Sequence, residues 1–413
     1  MASPARRSGA APVRPLGPLA LLAVLMLAAG FLLWRRLSLP RPPSSDMDLA
    51  HEVEQKNRTG HEAAEAVTAT REGFAVAGHT HSRRPGTSQA WVLDFDGTAP
   101  RPRWERTQGE GPGSHARALS PLPGGGLVVV GEVEVARDQF QAWVLALNRD
   151  GSPRWERTPG TGGINGLTSV GVLDDGTIVA GGVQGGAGWL LWLSPDGQPL
   201  GETRLEKLER VTSLAVLPGG RLAVAGTAES STTGLGTSAI LVFEADRQPA
   251  WAWWLSAERR GELAALAAMP DGGLVAAGRT SAPGSPDWGL WVVRLDAKGR
   301  IQWEHLPEDA TVEAGHAVTA LPDGGAAVAG DSLKGLADRD ARVWRLGPDG
   351  AVRWRKSYGG GRQDLARGIT RLADGGLVVA GSTMSRGAGK TDLWVFRVSA
   401  DGDLSWQETF GTP

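Results

Sequence analysis

Two histidines separated by one residue, His79 and His81, have the spacing that best suits metal binding. Alternate residues of a strand lie on one face, so both imidazoles can reach one ion, and further ligands would complete a zinc site. The sequence offers no identifiable third ligand, and the pair directly follows an apolar strand that ends at Gly78. We therefore predict that this segment is a solvated loop and not a metal centre.

Two other short motifs are compatible with chemistry. Asp94-Phe-Asp-Gly97 has the carboxylate spacing of a calcium loop, but the further oxygen ligands and the closing Glu are missing. Counterparts of this segment recur along the chain between apolar stretches, which favours a hairpin turn. Asn57-Arg-Thr59 matches a glycosylation acceptor, which matters only in a glycosylating export pathway, and we interpret it as a chance match.

Composition removes several function classes. The chain has 413 residues and no Cys, which excludes disulfides, thiolate zinc sites and Cys nucleophiles. Lys plus Arg (43) nearly balances Asp plus Glu (45), giving a formal net charge of -2 and no basic excess for nucleic acid. The sequence has no P-loop and no Gly-x-Ser-x-Gly nucleophile elbow. We predict no catalytic residue, no metal and no cofactor.

A repeat of 45 to 53 residues organises most of the chain. Each unit has a strand rich in small residues, a tight turn often of the type Asp-Gly-Gly, and an apolar strand that ends in glycine. A third strand follows, then a turn that often contains Asp-Gly, then a fourth strand led by Trp in every unit except the third, where Gly201 stands instead. The seven closing glycines are Gly78, Gly131, Gly181, Gly226, Gly278, Gly330 and Gly381.

Four short strands joined by hairpins cannot bury enough surface alone, so the units must pack against one another. Runs such as Leu127-Val-Val-Val130 are apolar on both faces, as a strand between two adjacent sheets must be. The pattern predicts an all-β protein, a seven-bladed β-propeller of four-stranded antiparallel blades. The tryptophans that lead the outer strands are predicted to fill the gaps between blades near the rim.

The repeat resembles those of bacterial exported propellers of the delta-60 type. The match lies in Leu321-Pro-Asp-Gly-Gly-Ala-Ala-Val-Ala-Gly330 and in the Trp-Val-Val-Arg-Leu that begins at Trp291. Leu295-Asp-Ala-Lys-Gly-Arg-Ile-Gln-Trp303 also resembles the tryptophan-docking repeat of pyrroloquinoline-quinone propellers. The resemblance covers about 350 residues and implies an exported or surface-tethered binding or assembly domain. The quinone enzymes use eight blades and a vicinal Cys pair, whereas this chain has seven units and no Cys.

Residues that do not repeat are the candidates for function. Arg117, His316 and Arg367 stand at equivalent positions of the inner strands, where the other units carry alanine or similar small residues. We predict that these three side chains lie at the channel mouth, where they either contact an anionic ligand or acidic partner segment or bind water. Variable loops at 79–89, 132–141 and 281–287 are predicted to add specificity.

The first sixty residues are separate from the repeats. No residue from Pro15 to Trp34 is charged, and residues 16–34 as a helix would span about 28 Å, close to the thickness of a bilayer core. We predict a tail at 1–15, an uncleaved transmembrane signal anchor at 16–34, a Pro-rich linker at 35–60 and the propeller at 61–413. The segment 52–57 either adds a strand to the last blade or belongs to the linker.

These observations predict a membrane-anchored propeller outside the cytoplasm that acts as a monomeric, non-enzymatic binding or scaffolding module. Its partners would be the membrane, through the N-terminal helix, and a protein or anionic ligand, with no role for nucleic acid. The alternative is an enzyme, a hydrolase or redox catalyst, with its site at the channel mouth. Three or more acid, base or metal-binding groups converging around the channel would favour the enzyme.

Overall fold

The computed structural model describes residues 60–411, except 84–86, 98–99, 109–112, 137–138, 161–164, 230–235, 257–258, 282–287, 307–311, 334–337 and 389. All of these belong to the unit Asn57–Pro413. The predicted anchor, the Asn57-Arg-Thr59 motif and the segment 52–57 lie outside the described residues. Within the described ranges, no helix has the length and hydropathy that a membrane crossing requires.

The described chain forms seven four-stranded antiparallel sheets, each built from four consecutive strands. Blade 1 contains β1 (Ala63–Thr70), β2 (Gly73–Thr80), β3 (Gln89–Phe95) and β4 (Trp104–Gln108). Blade 2 contains β5 (Gly113–Pro121), β6 (Leu127–Ala136), β7 (Gln139–Leu147) and β8 (Pro153–Arg157). Blade 3 contains β9 (Asn165–Val172), β10 (Ile178–Gln184), β11 (Ala187–Leu193) and β12 (Pro199–Leu205).

The remaining blades repeat this order. Blade 4 contains β13 (Arg210–Leu217), β14 (Arg221–Glu229), β15 (Gly236–Phe243) and β16 (Pro249–Trp254). Blade 5 contains β17 (Arg260–Ala268), β18 (Leu274–Ser281), β19 (Gly289–Leu295) and β20 (Ile301–His305). Blade 6 contains β21 (Glu313–Ala320), β22 (Ala326–Leu333), β23 (Arg339–Leu346) and β24 (Val352–Tyr358). Blade 7 contains β25 (Asp364–Arg371), β26 (Leu377–Thr383), β27 (Asp392–Val398) and β28 (Leu404–Phe410).

The blades close into a ring, which confirms the predicted seven-bladed propeller. The first strand of each blade is innermost and contacts the first strand of the next blade, and β25 of blade 7 contacts β1. At this junction the backbone N–H of Glu62 donates to Thr391 O at 3.0 Å. The outer position of blade 7 is taken by β28, so within the described residues each blade is complete without a strand from the other terminus.

Seven hydrophobic clusters hold the ring together, one between each pair of neighbouring blades. Between blades 2 and 3, for example, Val128 and Val144 pack against Leu167 and Trp189. Second and third strands are apolar on both faces because each face covers one of these clusters. Burial of apolar area between blades is therefore the main force that orders the repeats.

Outer-strand tryptophans bridge to the following blade, as predicted. The indole of Trp104 packs on Gly151, where a Cβ would lie 2.7 Å from the ring, and its Nε1–H donates to Arg149 O at 3.0 Å. Gly151 has a φ of +78°, so the turn both exposes its backbone to the indole and needs glycine. The same ring-on-glycine contact occurs in the pairs Trp155–Gly197, Trp251–Gly299, Trp303–Gly350 and Trp354–Gly402.

The interface between blades 3 and 4 lacks both the tryptophan and the turn glycine of this contact. Gly201 stands opposite Trp192 where other outer strands carry tryptophan, and the turn of blade 4 has Arg247 in place of glycine. Arg247 has a φ of +68° and is the one described non-glycine residue with positive φ. Its guanidinium covers the Trp192 ring at 4.4 Å, and its Nη1 donates to Leu200 O at 3.4 Å. The arginine thus reaches back across the interface that a tryptophan bridges elsewhere.

Candidate functional site

Every inner strand carries a β-bulge opposite the closing glycine of the second strand. In blade 6 the pairing passes from Gly315↔Gly330 to Ala317↔Ala329, which leaves His316 as the extra residue. The second strand approaches so closely there that a Cβ on Gly330 would lie 1.8 Å from Ala314 O. Glycine is thus required by the close approach of two backbones. In blade 3 the closing residue is Gly182 and not Gly181 as we predicted, because Gly182 makes this contact and pairs with Trp189.

The seven extra residues, here called the bulge ring, lie on the innermost strands around the central axis. They are Glu65, Arg117, Thr168, Thr212, Ala264, His316 and Arg367. The three predicted candidates are therefore structurally equivalent. The sequence prediction missed Glu65, which it counted among the small residues. Six members lie 14 residues before their closing glycine and Glu65 lies 13 before Gly78, because the first hairpin is one residue shorter.

Ionisable members of the bulge ring are confined to four consecutive blades. His316, Arg367, Glu65 and Arg117 belong to blades 6, 7, 1 and 2. The members from blades 3, 4 and 5 are two threonines and an alanine. The innermost strands thus carry long ionisable side chains at this position in blades 6, 7, 1 and 2 and short side chains in blades 3, 4 and 5.

An ion-paired network joins blades 1 and 2. Arg117 Nη2 lies 2.7 Å from Glu132 Oε1, and Arg117 Nη1 lies 3.5 Å from Glu65 Oε1. His115 Nδ1 is 3.3 Å from the same Glu132 oxygen. Glu132 lies on β6 directly after the closing glycine of blade 2, so the network connects first and second strands of two blades.

Three further histidines extend this network. The rings of His79 and His115 are 4.9 Å apart, those of His79 and His81 are 5.6 Å apart, and those of His61 and His81 are 6.5 Å apart. His79 is 2% exposed and His81 9% exposed, so the predicted solvated loop is wrong. The burial arises because β2 continues to Thr80 and because the inner strand of blade 2 packs against this end of it. Among the described residues, no group of three or more His, Asp or Glu has a geometry suited to a metal.

Burial and charge determine the protonation of this network. Burial lowers the pKa of His115 to about 4, so its imidazole is neutral at pH 7. Burial opposes ionisation of Glu132, but the charge of Arg117 and the hydrogen bond with His115 outweigh it and hold the Glu132 pKa well below its usual range. The network therefore contains an ionised Glu132 between a cationic arginine and a neutral histidine.

A second network lies in blades 6 and 7. His316 Nε2 is hydrogen-bonded to Asp331 Oδ1, and Arg339 Nη1 lies 2.9 Å from Asp331 Oδ2. Burial lowers the pKa of His316, against the charge of Asp331. Burial also opposes ionisation of Asp331, but the charges of His316, Arg339 and Arg367 lower its pKa to about 2. Arg367 of blade 7 thus acts electrostatically on the histidine and aspartate of blade 6.

The neutral members of the bulge ring have a different role. Thr168 Oγ1 donates to Val211 O at 2.7 Å, and Thr212 Oγ1 donates to Leu263 O at 2.8 Å. Both acceptors lie on the inner strand of the following blade, one residue before its bulge. Ala264 has no hydroxyl to make the corresponding contact. The threonines therefore link blades 3, 4 and 5 through their backbones.

Other predicted sites have structural explanations. Asp94 is the next-to-last residue of β3 and accepts a hydrogen bond from Arg103 Nε at 2.8 Å, while Gly97 of the turn has a φ of +85°. The segment is thus a hairpin turn, as predicted. The predicted loop at 132–141 is mostly strand, because β6 runs to Ala136 and β7 begins at Gln139.

Comparison with known proteins supports the fold. No family model matches the chain, and no curated protein matches it. Among solved structures, it is similar to a puromycin hydrolase mutant complexed with PGG, with 19% identity and a TM-score of 0.57 over 86% of this chain and 54% of that chain. The β-propeller domain of the Trilobed protease from Pyrococcus furiosus, described as having an open velcro topology, matches with 11% identity and a TM-score of 0.50 over 84% of this chain and 97% of that chain.

The WD40 domain of Neurospora crassa Pan2 matches with 12% identity and a TM-score of 0.50, over 78% of this chain and 86% of that chain. At these identities the similarity shows the propeller fold alone. Function must be argued from the residues that distinguish one blade from another.

Proposed function

We propose that this chain is a membrane-anchored, extracytoplasmic binding or scaffolding module whose ligand contacts the charged side of the bulge ring. The observation that supports this function is the uneven distribution of charge around the axis. Seven blades of one repeat present equivalent positions, yet ionisable side chains occupy four neighbouring positions and short neutral ones occupy the other three. A ligand with charged groups would lie off the axis, towards blades 6, 7, 1 and 2.

Arg367 is the member of the bulge ring that we assign to the first contact with an anionic ligand. Glu65 and Glu132 both lie near Arg117, so that guanidinium is already balanced by two carboxylates. Burial lowers the pKa of His316, and Asp331 is shared with Arg339. Arg367 is the other guanidinium of the bulge ring, and its positive charge already acts on His316 and Asp331 of blade 6.

Capture from membrane extracts tests the binding function, with the full-length chain in mild detergent as bait. The test variant is Arg367→Ala, and the matched control is Thr212→Ala at the equivalent position of the neutral side. We expect one partner to be retained by the wild type and by Thr212→Ala and to be lost by Arg367→Ala. Equal retention by both variants would refute a site on the charged side. Circular dichroism on each variant checks that the propeller is folded.

The proposed location follows from the uncharged stretch from Pro15 to Trp34. Protease added to cells should digest the propeller once the layers outside the inner membrane are permeable, while the inner membrane is still intact. Digestion only after lysis of the inner membrane would place the domain in the cytoplasm and would contradict the proposal.

A further inference from the structure

An open depression of about 460 Å³ lies beside blade 7 and is lined by no residue of the bulge ring. Its lining, here called the arginine pocket, consists of Gly361, Arg362, Met384, Ser385, Arg386 and Gly387. One wall belongs to the connection from β24 to β25, and the other belongs to the loop between β26 and β27. The volume is within the range of sites that hold small organic molecules.

A single buried carboxylate fixes both walls. Asp364 is fully buried and accepts hydrogen bonds from Gly360 N at 2.8 Å on one wall and from Ser385 Oγ at 2.7 Å on the other. Ser385 Oγ in turn accepts from Arg362 N at 3.1 Å. A Cβ on Gly360 would lie 2.6 Å from the Ser385 Cβ, so the two walls touch there. The pocket is therefore held in place before any ligand binds.

The side chains around the pocket are cationic. Arg362 and Arg386 line it and are exposed, and Lys390 follows on the same loop. Arg386 Nη2 donates to Gly359 O at 3.4 Å, which connects its guanidinium to the opposite wall. Within the described part of the chain, the guanidinium of Arg362 makes neither a hydrogen bond nor an ion pair. Asp364, which joins the walls, is buried and accepts hydrogen bonds from hydroxyl and backbone donors. The buried carboxylates of Asp340 and Asp392 lie against the same two walls, beside Gly359 and Gly387.

We propose that the arginine pocket binds the phosphate-type oxyanion of a phosphorylated small ligand. Guanidinium groups form paired, charge-assisted hydrogen bonds with phosphate oxygens, and Arg362 and Arg386 both line this opening. Glycine-rich backbone on both walls allows the ligand to approach closely. Gly387 has a φ of +91°, and a Cβ there would lie 2.2 Å from Asp392 Oδ2, so this part of the wall must be glycine.

The position of Gly361 provides a test that leaves the fold intact. A Cβ at Gly361 meets no atom within 4 Å, and its φ lies outside the positive region, so a side chain is tolerated there. Gly361→Asp would place a negative charge in the pocket. Arg355→Ala is the matched control, because Arg355 is an exposed arginine of the neighbouring strand β24 and lies outside the pocket.

The experiment titrates the full-length chain in detergent with inorganic phosphate and with tripolyphosphate in a calorimeter. We expect saturable binding of tripolyphosphate, at least about tenfold weaker in Arg362→Ala and Arg386→Ala, and lost in Gly361→Asp. Arg355→Ala should bind like the wild type. No saturable binding of either probe by the wild type, or equal weakening in Arg355→Ala, would refute the pocket.

A lipid arm distinguishes a soluble ligand from a phospholipid headgroup. The full-length chain in nanodiscs of phosphatidylcholine would be mixed with vesicles that contain phosphatidic acid. Capture by these vesicles that requires Arg362, together with weak binding of tripolyphosphate, identifies a headgroup as the source of the phosphate. Strong tripolyphosphate binding without capture identifies a soluble ligand. These outcomes do not depend on Arg367, so failure here leaves the proposed function of the bulge ring untouched.

Discussion

The bulged residues of blades 3 and 4 differ in kind from those of blades 1 and 2. Thr168 and Thr212 each donate a hydroxyl hydrogen to the backbone of the next blade, at 2.7 and 2.8 Å. Glu65 and Arg117 instead pair with each other at 3.5 Å and with other side chains. The backbone bulge and the closing glycine are the same in all four blades.

This difference shows which feature the repeat requires, the bulge, and which feature varies between blades, the side chain on the extra residue. The repeat needs the bulge, which lets the second strand pass the first at a glycine. It permits different side chains on the extra residue. A threonine there forms a hydrogen bond with the neighbouring inner strand, whereas a long charged side chain there joins an ion-paired network. Burying a charged network brings a desolvation cost that a threonine avoids, and this cost is a reason to look for function on the charged side.

The largest expected effect comes from removing the centre of the charged network. Glu132→Ala takes away the carboxylate that Arg117 contacts at 2.7 Å and His115 at 3.3 Å. The half-buried Arg117 then loses its closest partner, and we expect the free energy of unfolding to fall by about 3 kcal/mol. Denaturation by urea measures this loss of unfolding free energy.

The equivalent position on the neutral side is Thr227 of blade 4, so Thr227→Ala is the matched control. Thr227→Ala should lower the unfolding free energy by less than about 1 kcal/mol, since it removes one neutral and half-buried group. Similar losses for both variants would show that the network contributes no more than an ordinary side chain.

The pH dependence of stability should also distinguish the two sides. His115 has a pKa of about 4 in the folded protein against 6.5 for an ordinary histidine. Between these values the unfolded chain binds a proton that the folded chain does not, so stability is complete above pH 6.5 and declines as the pH falls towards 4. The shift corresponds to about 3 kcal/mol across this window.

His115→Asn keeps a donor for Glu132 and removes the titration. We expect its unfolding free energy to decline less steeply than that of the wild type between pH 6.5 and 4.5, with the remaining slope coming from His316, whose pKa burial also lowers. The loss below pH 4.5 should remain, because the carboxylates Glu132 and Asp331, both with lowered pKa, then bind protons on unfolding. A wild-type curve as flat as that of the variant would contradict a buried neutral His115.

The fold was predictable because its signals are local and repeated. Asp-Gly turns, closing glycines and outer-strand tryptophans each fix a hairpin or an interface within one unit, and seven copies confirm one another. The error at Gly181 arose where two glycines are adjacent, since the sequence alone does not tell which one meets the inner strand.

The site was less predictable because its partners come from different blades. Arg117 and His316 were found as departures from the repeat, but Glu65 was missed because the first hairpin is one residue shorter. The burial of His79 depends on His115 and the inner strand of blade 2, which no local pattern near His79 encodes. Arg247 likewise replaces a turn glycine opposite the missing tryptophan, and only the structure shows that both changes belong to one interface.

The smallest expected effect tests whether the hydroxyl contact is what the neutral side contributes. Ala264 occupies the bulge of blade 5 but cannot donate, and the acceptor equivalent to Val211 and Leu263 is the carbonyl of Gly315 on the next inner strand. Ala264→Thr should therefore add the hydrogen bond that Thr168 and Thr212 make, and should raise the unfolding free energy by about 1 kcal/mol.

Thr168→Val provides the reverse change with nearly the same volume, and should lower the unfolding free energy by about 1 kcal/mol. Denaturation by urea measures both changes in unfolding free energy. If Thr168→Val is neutral while Ala264→Thr destabilises, the hydroxyls do not join the blades. The short side chains would then be selected for space alone, which would favour a ligand that fills the neutral side of the axis.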